Sequence, residues 1–204
     1  MSENTQYFAA LRQILTEILE KICSLCECQS VGIRLHDNGD YPYYVQESFP
    51  DFFIHKENSL CAKDDEDNPI FDEDGNPLLE CMCGSVLKGR FDPKRPYFTE
   101  KGSFWTNSTT QLLETTAEKD RLTRTRNMCN YSGYESVALI PMRAGNVTLG
   151  LIQMNDPREN MFTLKEIEKY EVIADRVGSV VLNALEVQNR MNDVFELVNK
   201  FKST

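Results

Sequence analysis

The chain has 204 residues, of which 41% are hydrophobic and 26% are charged, and this length suits one domain with a sizeable core plus an extended helix. The formal net charge is −10, which disfavours binding to nucleic acid and to anionic membranes. Since no stretch approaches the ~20 apolar residues of a bilayer span, we expect a cytoplasmic protein without nucleic-acid or membrane partners.

The first elements are predicted to be a helix and a hairpin. Apolar residues recur at spacings of three and four over residues 5–26, which predicts an amphipathic helix with one buried face. Val31, Ile33 and Leu35 then alternate with polar residues, the period of a strand. The turn sequence D-N-G-D at 37–40 leads into a second strand over Tyr41 to Val45.

The middle of the chain is irregular. Residues 50–80 have no sustained period and contain D-N-P and D-G-N-P turns, so we expect a polar hairpin inserted between core elements. After it, a short helix is predicted from Cys81 to Leu87, a brief strand in G-S-F-W-T-N and a polar helix over 108–126. Apolar strands over Tyr134 to Met142 and Val147 to Met154 form the clearest hairpin.

The last element is a long helix with a defined start. Thr163 is the expected N-cap, Glu166 its reciprocal partner, and Phe162 is placed to pack on Ile167. A heptad register follows over about 35 residues, which indicates a coiled coil or a homodimer seam. The alternative is a single helix packed on its own sheet. The register contains Ile167, Tyr170, Ala174, Val177, Val181, Ala184, Gln188, Met191, Phe195 and Val198.

Four of the seven cysteines, Cys61, Cys81, Cys83 and Cys129, stand outside any apolar stripe. In a reducing compartment such thiols indicate a metal site or redox chemistry more than disulfides. If the fold gathers them, four thiolates would suit Zn²⁺ or an iron–sulfur cluster, with zinc favoured by its frequency in structural sites. Unligated thiols are the alternative. By contrast, the cysteines at 23, 26 and 28 are expected to serve packing, because helical spacing places the first two beside apolar residues.

A ligand pocket is also predicted from aromatic and polar residues in the second half of the chain. Phe98, Phe104, Trp105 and Tyr134 would line it, and Asn107 would supply a polar contact together with the serine and threonine that follow it. The alternative is that these aromatic residues fill the second face of the sheet.

The order of these elements resembles the GAF domain family. The most specific features are Y-E-S-V-A-L-I-P-M at 134–142, G-N-V-T-L-G-L-I-Q-M-N-D at 145–156 and F-T at 162–163. The runs S-L-C, L-E-C-M-C-G and F-W-T-N-S-T-T are similar to a subgroup found in sensor histidine kinases. The resemblance implies an α+β fold with a central antiparallel sheet, flanking helices, a ligand pocket and paired terminal helices.

The resemblance also implies a function. We expect residues 1–185 to form a sensory GAF domain and residues 186–204 to extend its signalling helix towards a kinase or another output partner. On this interpretation the chain is not an enzyme; it senses a small ligand or redox state through the four-cysteine metal site. One alternative is a GAF-fold reductase of free methionine sulfoxide that uses Cys83 and Cys129, and another is a GAF module that binds an organic ligand without metal.

Overall fold

The computed structural model describes residues 3–202. Residues 1–2 of the predicted domain 1–185 and residues 203–204 of the predicted extension 186–204 lie outside the described residues. The described helices are α1 Glu3–Cys26, α2 Asp51–Glu57, α3 Cys81–Leu87, α4 Thr109–Thr115, α5 Glu118–Arg121, α6 Met128–Tyr131 and α7 Leu164–Lys202. The described strands are β1 Ser30–Leu35, β2 Tyr43–Glu47, β3 Phe104–Thr106, β4 Ser136–Ala144 and β5 Val147–Asp156.

The five strands form one antiparallel sheet in the order β2-β1-β5-β4-β3. Ile152 of β5 lies at its centre, paired with Ile33 of β1 on one side and with Ile140 of β4 on the other. The predicted α+β architecture, with helices beside an antiparallel sheet and a long C-terminal helix, is confirmed.

The sheet buries both of its faces. Alternate residues of each strand point to opposite sides, so every central strand contributes to two cores. One face packs against α1 and α7. The other face packs against the segments between β2 and β4, including α3. The first core includes Leu15, Leu19, Ile33, Ile140, Ile152, Met154, Ile167, Ala174 and Val177. The second includes Phe49, Phe53, Cys83, Val86, Phe104, Tyr134, Val137, Leu139 and Leu151.

The long helix α7 begins as predicted. The Thr163 backbone N–H donates to Glu166 Oε2, and the Glu166 N–H donates to Thr163 Oγ1, which completes a reciprocal capping box. The apolar heptad positions up to Val181 are buried in the first core, so the domain's own sheet covers this half of the register. Farther along, Phe195 and Val198 are exposed.

Two stretches of the middle differ from expectation. The predicted helix over 108–126 is wrong as a single element: it is split into α4 and α5, because Thr116 adopts an extended conformation at the C-cap of α4. The region 50–80 is not entirely a hairpin, since it begins with α2, whose seven residues are too few for a clear helical period. Beyond it, isolated bridges join Cys61 to Leu79 and Lys63 to Pro69.

None of the helices within residues 3–202 combines the length and the apolar composition needed to cross a bilayer.

Candidate functional site

Three of the predicted cysteines meet on the second face of the sheet. Cys81 and Cys83 lie in the first turn of α3, and Cys129 lies in α6, the short helix that precedes β4. The thiols of Cys81 and Cys83 are close enough to act on the pKa of the Cys129 thiol. Two segments more than 40 residues apart in sequence thus bring their cysteines to the lining of one cavity.

The backbone at Cys81 is strained in a way that positions this thiol. Its φ is +64°, a left-handed conformation that costs a non-glycine residue on the order of 1 kcal/mol or more. The Cys81 N–H donates to the Arg124 carbonyl at 2.8 Å, and the Cys81 sulfur accepts from the Arg126 N–H at 3.4 Å. These two contacts hold the start of α3 against the segment that leads into α6.

Two amide side chains of β5 link the thiols. Gln153 Oε1 lies 3.9 Å from the Cys83 sulfur, and Gln153 Nε2 lies 3.9 Å from the Cys129 sulfur. Asn155 Nδ2 donates to the Cys129 sulfur at 3.5 Å. Since Gln153 and Asn155 are fully buried and bonded to each other, the amides fix the orientation of both cysteines.

A buried carboxylate lies beside the sulfur atoms. Glu57, the last residue of α2, is only 3% exposed, and burial raises its pKa. Its Oε1 atom forms an ion pair with Arg126 Nη1 at 3.6 Å, but within the described residues it makes no hydrogen bond. Arg126 is held elsewhere, through its Nε–H to Glu80 and its Nη1–H to the Ser59 carbonyl. Glu57 therefore retains an oxygen available to a ligand.

Arg34 of β1 places a positive charge beneath the site. Its side chain is fully buried and donates to the backbone carbonyls of Tyr41, Glu57 and Asn58. The guanidinium carbon lies 3.6 Å from the centre of the Tyr43 ring, a cation–π contact. Its positive charge lowers the pKa of Cys83, although burial has the larger, opposite effect.

All three thiols are protonated near neutral pH. Burial raises the pKa of Cys83 to about 12, and it raises the pKa of Cys81 and Cys129 as well. Among the neighbouring charges, Glu57 raises all three pKa values further. A ligand that makes these sulfurs ionise must therefore supply positive charge of its own.

The thiols border a cavity of about 60 Å³, measured as the space open to the centres of water molecules. This volume admits a few atoms, whereas pockets for drug-sized ligands measure about 300–1,000 Å³. Glu57 and Arg121 also line it, and the buried Arg121 Nε lacks a hydrogen-bond partner in the described part of the chain. The remaining wall is mainly apolar and includes Met82, Phe104, Leu112, Val137 and Leu139.

Cys61, the fourth predicted ligand, is placed differently. It lies on the segment that bridges to Leu79, and its thiol interacts with Asp40 and Ser59. Among the described residues, no group of three or more His, Cys, Asp or Glu side chains is arranged to hold a metal ion. The four-cysteine site for zinc or an iron–sulfur cluster stays a prediction; Cys81, Cys83 and Cys129 line one cavity, and Cys61 does not.

The five predicted ligand-binding residues are distributed over separate places. Phe104 lines the cavity, while Phe98 and Tyr134 are buried in the surrounding core. Trp105 and Asn107 line a separate, open depression. The Asn107 amide is already engaged, because it exchanges hydrogen bonds with the backbone N–H and C=O of residue 162.

Sequence reasoning missed the polar partners of the thiols. A signal for two of them was present, because Gln153 and Asn155 occupy alternate positions of an otherwise apolar strand. Arg34 likewise interrupts β1, at a position where the alternation predicts a polar face. Glu57 and Arg121 carried no such signal, since each lies in a polar stretch of sequence.

The sequence profile of the GAF domain family matches residues 10–181. No curated protein sequence matches the chain.

Solved structures share the fold at low sequence identity. A domain from a protein classed as a two-component sensor histidine kinase, from Sinorhizobium meliloti 1021, has a TM-score of 0.56 and 11% identity, covering 88% of this chain and 96% of that one. The GAF domain of a phosphoenolpyruvate-protein phosphotransferase from Coxiella burnetii has a TM-score of 0.57 and 12% identity, covering 91% and 92%. The type II free methionine-R-sulfoxide reductase of Thermoplasma acidophilum has a TM-score of 0.53 and 13% identity, covering 86% and 94%.

Proposed function

The chain belongs to the GAF domain family, and on this premise we propose that it is a sensory domain whose sensing site is the cavity at Cys81, Cys83 and Cys129. The ligand is small and soft: a metal ion or a redox-active molecule of a few atoms. The signal leaves through α7 to a kinase or another output partner.

The observation that carries this proposal is that three thiols line one small, mainly apolar cavity. Thiolates prefer soft partners, and the cavity is too small for a drug-sized organic ligand. Glu57 and Arg121 line the same cavity, and Glu57 Oε1 and Arg121 Nε, which make no hydrogen bond within the described residues, offer an acceptor and a donor. Arg34 and Arg126 supply the charge that offsets thiolates once a ligand displaces their protons.

A four-cysteine metal site remains one form of this proposal. Thiolates of Cys81, Cys83 and Cys129 would be three ligands, and Cys61 would have to leave Asp40 and Ser59 to become the fourth. Zinc would supply a closed structural centre there, whereas an iron–sulfur cluster would supply a response to redox state. In either form the protein's own arginines balance the added negative charge.

The proposed partner is a second copy of the chain. The predicted register continues beyond Val181 through Gln188, Phe195 and Val198. The sheet covers the first half of this register, whereas the two apolar positions at its end are exposed. Pairing of two α7 helices over this second half would bury them, as in a parallel coiled coil.

Reduction of free methionine sulfoxide is a second candidate. It is favoured by the placement of Cys83 and Cys129 on the same Gln153 amide, and the reductase of Thermoplasma acidophilum shares the fold. In that chemistry one thiolate attacks the sulfoxide sulfur and a second thiol resolves the product. The raised pKa values of both thiols oppose the first step, as they also oppose oxidation of free Cys83 by a hydroperoxide.

The test compares wild-type protein, Cys83→Ser and Cys61→Ser after purification without air. Metal content, the visible spectrum and oxidation of Cys83 by a hydroperoxide are measured. Metal lost in Cys83→Ser alone supports a three-thiol site, and metal lost in both variants supports the four-cysteine site. Reversible oxidation of Cys83 without bound metal supports redox sensing. Absence of both metal and oxidation overturns the proposal, and turnover of free methionine sulfoxide with a thiol reductant replaces it with the reductase.

A further inference from the structure

A second group of thiols lies on the opposite face of the sheet, where α1 ends. Cys26 is the last residue of α1 and Cys28 lies two residues later, just before β1. Both are 8% exposed and belong to the core formed with α1 and α7. Packing alone accounts for their burial but not for the contacts that they make with each other.

The backbone turns the two side chains towards each other. Glu27, between them, has a φ of +53°, so the chain reverses direction at this residue. The Cys28 N–H donates to the Cys26 sulfur at 3.4 Å, and the Cys28 thiol donates to the Cys26 carbonyl at 3.6 Å. The two sulfurs also lie close enough for each to shift the pKa of the other.

An ion pair on the other side of the turn holds it in place. Asp156 Oδ2 accepts from the Gln29 N–H at 2.9 Å, and Arg158 Nη2 donates to the Glu27 carbonyl at 2.8 Å. Asp156 and Arg158 are paired with each other at 2.8 Å. The turn is therefore preorganised by contacts that do not involve the sulfurs.

We propose that Cys26 and Cys28 form a redox-active dithiol that a hydroperoxide converts to a disulfide, a second sensing site separate from the cavity. The Cys26 thiolate attacks one oxygen of the hydroperoxide, the O–O bond breaks, and hydroxide or alkoxide leaves as Cys26 becomes a sulfenic acid. The Cys28 sulfur then attacks the Cys26 sulfur; the S–O bond breaks, and the oxygen leaves as water with the proton of Cys28.

The asymmetry of the pair assigns these roles. The Cys28 N–H donates to the Cys26 sulfur at 3.4 Å, and hydrogen bonding from the thiol and the backbone N–H of Cys28 lowers the pKa of Cys26, whereas hydrogen bonding to Cys26 and burial raise the pKa of Cys28. One thiol is thus favoured as the nucleophile and the other stays protonated as the resolving group. Burial raises the pKa of Cys23 to about 11, which disfavours this thiol as the nucleophile.

The dithiol is placed to influence the exit helix. Tyr170 of α7 belongs to the same core, and negative charge at Cys26 and Cys28 raises its pKa in addition to the larger effect of burial. We expect a disulfide at the end of α1 to alter the packing of the core that contains Tyr170.

Peptide mapping of the full chain tests the proposal, because trypsin places the three cysteines of this region in one peptide, residues 22–34, apart from the other four. Wild-type protein is treated with hydrogen peroxide and then denatured in the presence of a first alkylating reagent, which labels the free thiols. Disulfides are then reduced, and a second alkylating reagent labels the thiols that reduction releases. Cys26 and Cys28 are expected to carry the second label and Cys23 the first. Pairing with Cys23, or free thiols at both positions, overturns the proposal.

Two variants make the assignment sharper. Cys28→Ser is expected to leave a sulfenic acid on Cys26 that dimedone captures, whereas Cys23→Ser is expected to form the disulfide as the wild type does. Loss of the disulfide in a folded Cys23→Ser protein also overturns the proposal. The result is independent of the cavity, whose cysteines appear in other peptides, so either proposal can fail without the other.

Discussion

Glu171 of α7 accepts a hydrogen bond of 2.7 Å from the hydroxyl of Ser103, the residue just before β3. The same carboxylate oxygen accepts from Thr99, and all three side chains are buried. Phe104, the next residue after Ser103, lines the thiol cavity. A buried carboxylate thus joins the exit helix to the segment that enters the cavity wall, a direct physical route between the proposed sensing site and α7.

Replacing Glu171 tests this connection. Glu171→Ala leaves two buried hydroxyls without their acceptor, so the free energy of unfolding should fall by about 1–3 kcal/mol. Urea denaturation measures this change. The matched control is Glu168→Ala, at an exposed residue of the same helix, for which the change in the free energy of unfolding should be near zero. Equal stability of the two variants would mean that the contact contributes nothing.

Stability should decline at alkaline pH because of Cys83. Its pKa is about 12 in the folded protein against 9.0 for a free thiol, so between these values the unfolded chain releases a proton that the folded chain retains. The stabilisation is complete below pH 9.0 and is lost as the pH rises through about 12. Urea midpoints at neutral pH and about pH 10 should differ less in Cys83→Ala than in the wild type. An unchanged pH slope in the variant would contradict this expectation.

Gly178 sets the distance between α7 and the sheet. A Cβ atom at this position would lie 2.5 Å from the Arg143 carbonyl oxygen, and the obstacle is backbone that cannot rotate away. Gly178→Ala should therefore lower the free energy of unfolding by about 1–3 kcal/mol, despite the better helix propensity of alanine. Thermal unfolding measures the stability of this variant, and Ser179→Ala, at the exposed neighbouring residue, is the control. A stabilised Gly178→Ala protein would show that the helix can move away from β4 at little cost.

The second half of α7 should carry the dimer contact. Phe195→Glu places a charge in the predicted seam and should convert a dimer to a monomer in light scattering. Val194→Glu is the control, because Val194 is also exposed and apolar but lies outside the register. If the wild-type protein is a monomer, or if both substitutions change its oligomeric state equally, the predicted dimer contact is wrong.

Local and periodic features of this protein were readable from its sequence. The amphipathic period of α1, the alternation in β1 and the capping box of Thr163 and Glu166 each involve residues within a few positions of one another. Their structure therefore follows mainly from short-range geometry, which a local sequence pattern reveals. The same holds for the hairpin of β4 and β5, and these elements in order were enough to indicate the GAF family.

The candidate site depended on contacts between distant parts of the chain. Cys81, Cys83 and Cys129 come together because α3 and α6 pack on one face of the sheet, while Cys61 follows a neighbouring segment to Asp40. Glu57 is polar in sequence and became a buried group of the cavity only when α2 packed beneath the thiols. The cysteines and their spacing could be read from the sequence. The burial of each thiol and the charges beside it determine its pKa, and these arise only when the whole chain has folded.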